Sequence, residues 1–338
     1  MQLIVLGLNH KTAPVEIRER SNFSQDRTVR VLRRLRNNDN LNEAVLLSTC
    51  NRTELYMVLE DPAAGLHFIR TLLRHLAGEQ YKPDYFYNLT GINCVRHLFK
   101  VASSLDSLII GEGQILSQIK NAYHLSRSCG MTDTLFNTLF NRAIAVGKRV
   151  RTETKIAYSS VSVSSAAVDL AIDVVGDLTK ANILVLGAGR MSELTARHLI
   201  DKGAKTIFVS NRNLSHAQEL AEKFNGTAIP YNEFMHQAIT SDIIITSTGA
   251  PHYVITEQGV RDIIPKRSGK PLILVDIAVP RDVDPLVGDI EGVTLYNIDD
   301  LEGVVDMNKN FRSSKAKVAE AIIDEEITAL KERLRYLT

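Results

Sequence analysis

One stretch of the chain restricts its fold more than any other. Ile183-Leu184-Val185-Leu186 is a short apolar run of strand type, Gly187-Ala188-Gly189-Arg190-Met191-Ser192 follows at once, and a helical pattern runs from Met191 to Ile200. Strand, glycine turn and helix in that order are the context a dinucleotide fingerprint requires. The first two glycines permit a tight turn and let a pyrophosphate approach backbone N–H groups at the helix N-terminus. Two glycines alone are more often a plain turn, but here the surroundings repeat the unit. Strands at Thr206 to Ser210, Asp242 to Thr246 and Leu272 to Val275 alternate with helical patterns at Ser215 to Phe224 and Glu257 to Ile264. Such alternation predicts a doubly wound parallel sheet of Rossmann type. Ser192 stands where a third glycine is usual, which predicts looser packing of helix on strand with the anion site intact.

An NAD site needs a carboxylate at the end of the next strand to bind the ribose 2′-hydroxyl. Here the chain reads Val209-Ser210-Asn211-Arg212, with no carboxylate, so Asn211 and Arg212 point to a 2′-phosphate and to NADP. Ser247-Thr248-Gly249 lies at the carboxyl end of a later strand, where ligands bind in such sheets.

The first half has a different texture. Leu3 to Leu8 and Ala44 to Ser48 read as strands and Thr53 to Val58 as a hairpin partner. A helix from the N-cap Ser24 to Arg36, and helical periods at Leu66 to Leu76, Val95 to Val101, Ile115 to Leu125 and Leu135 to Val150, make up the rest. The hydroxyl-rich segment Thr154 to Ser165 marks a domain joint, placed near residue 156. The expected architecture is therefore α/β, with an α+β domain at 1–156, a Rossmann-like domain at 157–300 and the start of a long helix at 301–338. Ile323, Ile327, Leu330, Leu334 and Leu337 form an apolar seam on that helix, and such a seam wants a partner.

Charge divides along the same line. Residues 1–156 carry 21 Lys and Arg against 14 Asp and Glu, and the remainder 19 against 25, so a formal total of +1 hides a basic half and an acidic one. Arg27, Arg30, Arg33, Arg34 and Arg36 crowd one helix, and Arg142, Lys148, Arg149, Arg151 and Lys155 another. Either cluster is a solvated face or a surface for a phosphate backbone.

Three cysteines cannot build a disulfide framework, and a reducing, cytoplasmic setting is expected. No basic lead or long apolar run suggests a signal peptide or a membrane span. Cys50 falls at a strand end among Thr49, Asn51 and Arg52, a polar setting with a cation able to favour thiolate. Cys94 and Cys129 lie in helical apolar patterns, although Cys94, three residues from His97, is a rival nucleophile. No Cys/His spacing fits zinc.

Several motifs together, in order, resemble the glutamyl-tRNA reductase family. They are Leu8 to Pro14 (LNHKTAP), Ser48 to Glu54 (STCNRTE), Leu105 to Leu116 (LDSLIIGEGQIL), Arg149 to Thr154 (RVRTET) and Val275 to Asp282 (VDIAVPRD). The resemblance spans essentially the whole chain. It implies NADPH-dependent reduction of glutamyl-tRNA(Glu) to glutamate 1-semialdehyde through a thioester on Cys50, at the head of the five-carbon route to porphyrins. By motif it places substrate contacts at Thr49, Cys50, Asn51, Arg52, Ser107, Glu112, Gly113, Gln114 and Gln118, the assisting histidine at His97, and the NADPH loop at Gly187, Ala188, Gly189, Arg190, Met191 and Ser192. Asn51 or Thr49 is then expected to donate to developing charge, and Arg52 to clamp the glutamate side-chain carboxylate. The active site is expected to form between the two domains by closure, with the basic half facing the tRNA acceptor stem.

The sequence departs from the family pattern twice. Gly113 replaces a frequent proline, and activity is expected to survive that change. Members usually continue into further dimerising helices, whereas this chain stops at Thr338 inside what resembles their connecting helix, so a truncated or naturally short member is expected and homodimerisation is in question. The family also implies that glutamate-1-semialdehyde aminomutase receives the aldehyde. Two other readings stay open on the residues alone: an NADP-dependent dehydrogenase of a small hydroxy acid or ketone, and a non-catalytic tRNA-binding protein.

Overall fold

The computed structural model describes residues 1–61, 63, 82–108, 111, 113–156, 163–301 and 309–333. The helical pattern at Leu66 to Leu76 and the side chains of Glu112, Leu334 and Leu337 lie outside the described residues. The chain separates into two compact units, Met1–Ser160 with Asn308–Thr338, and Val161–Met307.

The first unit is built on a four-stranded antiparallel sheet in the order β2-β3-β1-β4, from β1 (Gln2–Asn9), β2 (Leu41–Ser48), β3 (Arg52–Leu59) and β4 (Tyr87–Thr90). Its strands are apolar on both faces because both faces are covered. Val5, Val45, Leu47 and Val58 pack on one side with the helices α3 (Gly91–Ala102), α4 (Ile115–Ser128) and α5 (Thr134–Thr154). Ile4, Leu6, Leu46 and Met57 pack on the other with Leu32 and Leu35 of α2 (Gln25–Leu35), and a short α1 (Val15–Arg20) precedes that helix. Ser24 caps α2, its hydroxyl accepting from the Arg27 N–H.

The final helix, α11 (Lys309–Arg333), corrects two expectations. Its apolar seam already has a partner within the unit: Ile323, Ile327 and Leu330 are buried in the same core as α3 and α5. Burial of these side chains removes apolar surface that would otherwise need another chain. Its acids also engage arginines read as a phosphate surface, with Arg142 paired to Glu326 and Arg149 to Glu325 at 2.8 Å and Glu326 at 3.0 Å. The basic cluster on α2 has no such carboxylate within ion-pair distance among the described residues. With α11 counted, the first unit holds 28 Lys and Arg against 19 Asp and Glu, and the second 12 against 20.

The second unit is a six-stranded parallel sheet in the order β10-β9-β8-β5-β6-β7. Its strands are β5 (Asn182–Leu186), β6 (Thr206–Ser210), β7 (Thr227–Ile229), β8 (Ile243–Thr246), β9 (Leu272–Asp276) and β10 (Val293–Asn297). The helices α6 (Val163–Val175), α7 (Arg190–Asp201), α8 (Leu214–Lys223), α9 (Phe234–Ala238) and α10 (Glu257–Ile263) connect and cover them. This is the doubly wound Rossmann-like order, and the direction of winding reverses between β5 and β8. The edge strands β7 and β10 go unread in the sequence because they are short and only partly buried. Among the described residues no helix is long and apolar enough to cross a membrane, and no group of His, Cys, Asp and Glu is placed to hold a metal ion.

Candidate active site

Cys50 sits in the turn between β2 and β3, partly exposed. The turn is shaped by its own residues: the Thr49 hydroxyl accepts from the N–H groups of Asn51 (3.2 Å) and Arg52 (3.1 Å), and the Thr49 N–H donates to the Arg52 carbonyl at 2.8 Å. Arg18 braces it from below, one guanidinium nitrogen donating to the Cys50 carbonyl (3.2 Å) and to Asn51 Oδ1 (2.8 Å). The thiol is thus carried on a backbone fixed from both sides. Thr49 is 9% exposed, and its hydroxyl accepts from two N–H groups of the turn and faces the Arg52 carbonyl at 3.4 Å, so it shapes the turn. Asn51, with Oδ1 accepting from Arg18, keeps its amide hydrogens for donation.

Arg52 departs from expectation. Only 2% exposed, it donates to Glu54 Oε1 at 2.6 Å and to Asp106 Oδ2 at 3.1 Å from both terminal nitrogens, with a further bond to the Asp106 carbonyl. Its fork therefore grips two internal carboxylates. Asp106 is also held by Lys11 Nζ at 2.6 Å. Burial would raise the Asp106 pKa, but Arg52 and Lys11 hold it below the usual value.

Glu54 is the centre of this network and was not singled out in the sequence. It is fully buried and accepts from Arg52, from Tyr56 (2.6 Å), from Tyr87 (2.5 Å) and from His97 Nε2 (2.8 Å). Gly7, its partner across β1 and β3, makes the space, since a Cβ on Gly7 would lie 2.8 Å from Glu54 Cγ. Burial pushes the Glu54 carboxyl up; Arg52 and His97 outweigh that and hold it well below the usual range. An ionised carboxylate only accepts, so Nε2 of His97 is the nitrogen that donates to it, and Nδ1 is the nitrogen left to exchange a proton. Glu54 thereby orients His97 from the motif that also carries Cys50.

Cys94, the rival nucleophile, is fully buried, and burial together with Glu54 pushes its thiol well up, which leaves it protonated and out of reach. His10 is lowered to about 4 by burial and by Arg52, so its ring is neutral at pH 7, and its buried Nδ1 has no partner among the described residues. Ser107 is 8% exposed beside Asp106. Gln114 precedes α4, and its carbonyl accepts from the Gln118 N–H, one helical turn on. Gly113 is exposed, its carbonyl accepts from Arg151 at 3.0 Å, and a Cβ there would meet nothing within 4 Å.

In the second unit, Gly187 and Gly189 follow β5 at the reversal point. Gly187 has φ +111°, and a Cβ on it would lie 2.8 Å from the Ser247 carbonyl and 2.9 Å from Ser192 Oγ. Gly189 caps α7, and a Cβ on it would meet nothing within 4 Å, so the backbone there is open to close approach. Ser192, expected to loosen the packing, is fully buried and shares a 2.7 Å hydrogen bond with Ser247 Oγ, which ties α7 to the end of β8. The Gly187 N–H donates to the Ser210 carbonyl at 2.8 Å, which brings the end of β6, and with it half-buried Asn211 and exposed Arg212, beside the glycine turn. Arg190 and Met191 open α7.

A buried acid pair, Asp276 at the end of β9 and Asp282 in the loop after it, lies beside the end of β8 and was not singled out in the sequence. Asp276 accepts from the Thr246 hydroxyl (2.8 Å) and from the N–H groups of Ala278 (3.0 Å) and Val283 (2.9 Å), and Asp282 accepts from the Thr248 N–H at 2.7 Å and from its hydroxyl. Burial and the neighbouring Asp282 push Asp276 up to about 7.

Comparison with known proteins bears on both units. The family model described as "Glutamyl-tRNAGlu reductase, N-terminal domain" matches residues 6–154, and that described as "Shikimate / quinate 5-dehydrogenase" matches residues 169–304. The glutamyl-tRNA reductase of Trichlorobacter lovleyi is 46% identical over 330 residues, 97% of this chain and 76% of the relative. That of Syntrophotalea carbinolica is 46% identical over 340 residues, 100% of this chain and 76% of the relative. Among solved structures, the glutamyl-tRNA reductase from Methanopyrus kandleri is 36% identical with a TM-score of 0.52, covering 99% of this chain and 81% of that one. The chain spans about three quarters of the length of these curated relatives.

Proposed function

Because the chain belongs to the glutamyl-tRNA reductase family and is thus an oxidoreductase, we propose that it reduces glutamyl-tRNA(Glu) to glutamate 1-semialdehyde, with NADPH as reductant and Cys50 as nucleophile. The observation that carries this reading is the placement of Cys50: a partly exposed thiol on a turn braced by Arg18 and Thr49, while Cys94 is buried and protonated.

The thiolate sulfur of Cys50 attacks the ester carbonyl, and the tRNA ribose oxygen leaves as a hydroxyl, taking one proton. Asn51 Nδ2 is a donor for the developing oxyanion. His97, which donates to Glu54 through Nε2, takes onto Nδ1 the proton that the Cys50 thiol gives up and passes it to the departing ribose oxygen. A thioester remains on Cys50. NADPH held at the turn from Gly187 to Ser192 would supply the hydride that reduces the thioester, and Cys50 would leave the carbon as thiolate as the aldehyde forms. A substrate carboxylate binding at Arg52 would replace Asp106 on the guanidinium fork.

The second unit fits a nicotinamide dinucleotide. Gly187 has no room for a Cβ, Gly189 is open at the N-terminus of α7, and the end of β6 offers Asn211 and Arg212 with no carboxylate, a donor set suited to a 2′-phosphate. The test is Cys50→Ser. NADPH consumption dependent on glutamyl-tRNA should fall by on the order of 10³-fold or more, with NADPH binding retained, and free glutamate should support none with either protein. Full activity in the variant would overturn the proposal.

A further inference from the structure

A cleft of about 500 Å³ lies along the edge strand β2, walled by α2 and α4. Phe23, Leu46 and Leu125 give it apolar surface, while Gln118, Asn121 and Ser128 of α4 line it with amide and hydroxyl groups. Ser48 lies at its edge, and Ser48 is two residues before Cys50, so their Cα atoms are at most about 7 Å apart. Ser48 itself is held by Asn22 Oδ1 (3.0 Å) and by the Phe23 N–H (2.9 Å).

From these features we infer that the cleft receives the terminal adenosine of the tRNA, an inference that rests on the proposed function and deepens it. The glutamyl ester is carried on the ribose of that nucleotide, so only one sugar separates the carbon that Cys50 attacks from the adenine ring. The ring must therefore lodge close to the Cys50 turn. A flat ring with apolar faces and a polar rim matches a cleft with apolar surface and with amide and hydroxyl groups from α4, and an unpaired 3′ end leaves its base free to enter. α2 lines the cleft with Gln25 and Thr28 and carries, outside the lining, Arg27, whose guanidinium lies 4.6 Å from the Phe23 ring centroid, and exposed Arg30, cations suited to the phosphate that precedes the adenosine. Gln118, assigned to the substrate by motif, then stands where the glutamyl site and the base site meet.

The test compares two minimal substrates, glutamate esterified to the ribose of adenosine and glutamate methyl ester, by the rate at which each acylates Cys50. The adenosine ester should be favoured in kcat/KM by about tenfold or more, the range that stacking of a single base supplies. Ala122→Phe, which fills the cleft, and Asn121→Leu, at an exposed position where folding is not at stake, should each bring that ratio toward one. Equal kcat/KM for the two esters in the unaltered protein, or variants that slow both esters alike, would overturn the adenosine site while leaving Cys50 acylation standing. Acylation by neither ester, nor by glutamyl-tRNA, would remove the proposed function and this inference with it.

Discussion

Glu54 and Asp276 are two carboxylates buried to the same degree, one in each unit, and their neighbours drive them in opposite directions. Glu54 is surrounded by donors, among them the Arg52 guanidinium, and stays ionised far below the usual range. Asp276 meets hydroxyl and amide donors and, among the described residues, no cation, faces Asp282, and is pushed up to about 7. Burial alone therefore decides little; the charge beside the buried acid decides its protonation. The first unit places a permanently charged network beside the motif that carries Cys50. In the second, the loop from Ile277 to Val283 is fastened by an acid that titrates near neutrality.

The strongest way to break this comparison is Glu54→Gln. The amide would turn an NH₂ toward a nest of donors and leave Arg52 buried beside a neutral group, at a cost of roughly 3–5 kcal/mol. A thermal melt should show it, and a loss under 1 kcal/mol would mean that Glu54 is not the ionised centre of the network. A smaller effect is expected from Asp276→Asn. The folded-state pKa of Asp276 lies above its unfolded value near 4, so the stability tied to its neutral form is fully present below about pH 4 and lost as pH rises toward 7. The slope is at most about 1.4 kcal/mol per pH unit, and the Asn variant should flatten it in urea titrations of the second unit between pH 4 and 8. Glu54 has the reverse sign: its contribution is whole above its unfolded value and fades only as the solution becomes acidic. An unchanged slope in the Asn variant would assign the titration elsewhere. Lys11→Met should cost least, at most about 1 kcal/mol, since the Lys11–Asp106 pair has a lysine side chain 55% exposed.

These acids also mark where sequence reading stops. Strands β1, β2, β5, β8 and β9 announce themselves as apolar runs, and the glycine turn declares its own purpose. Glu54 does not, because a glutamate within a strand reads as a solvent-facing residue; only the pairing of β1 with β3 shows Gly7 opening a space for it. Arg52 reads as an available cation until Asp106, 54 residues away, is seen to occupy it. The seam on α11 is visible in the sequence, but its partner, the α3 and α5 surface of the same unit, is a matter of chain folding that periodicity cannot report.

Cys50 is the residue proposed to take up the glutamyl group. Incubating the protein with glutamyl-tRNA in the absence of NADPH, followed by peptide mass spectrometry, tests it most directly. One glutamyl group should appear on the peptide containing Cys50 and none on those containing Cys94 or Cys129. A glutamyl adduct on another residue, or full turnover on adding NADPH with Cys50 never acylated, would contradict it.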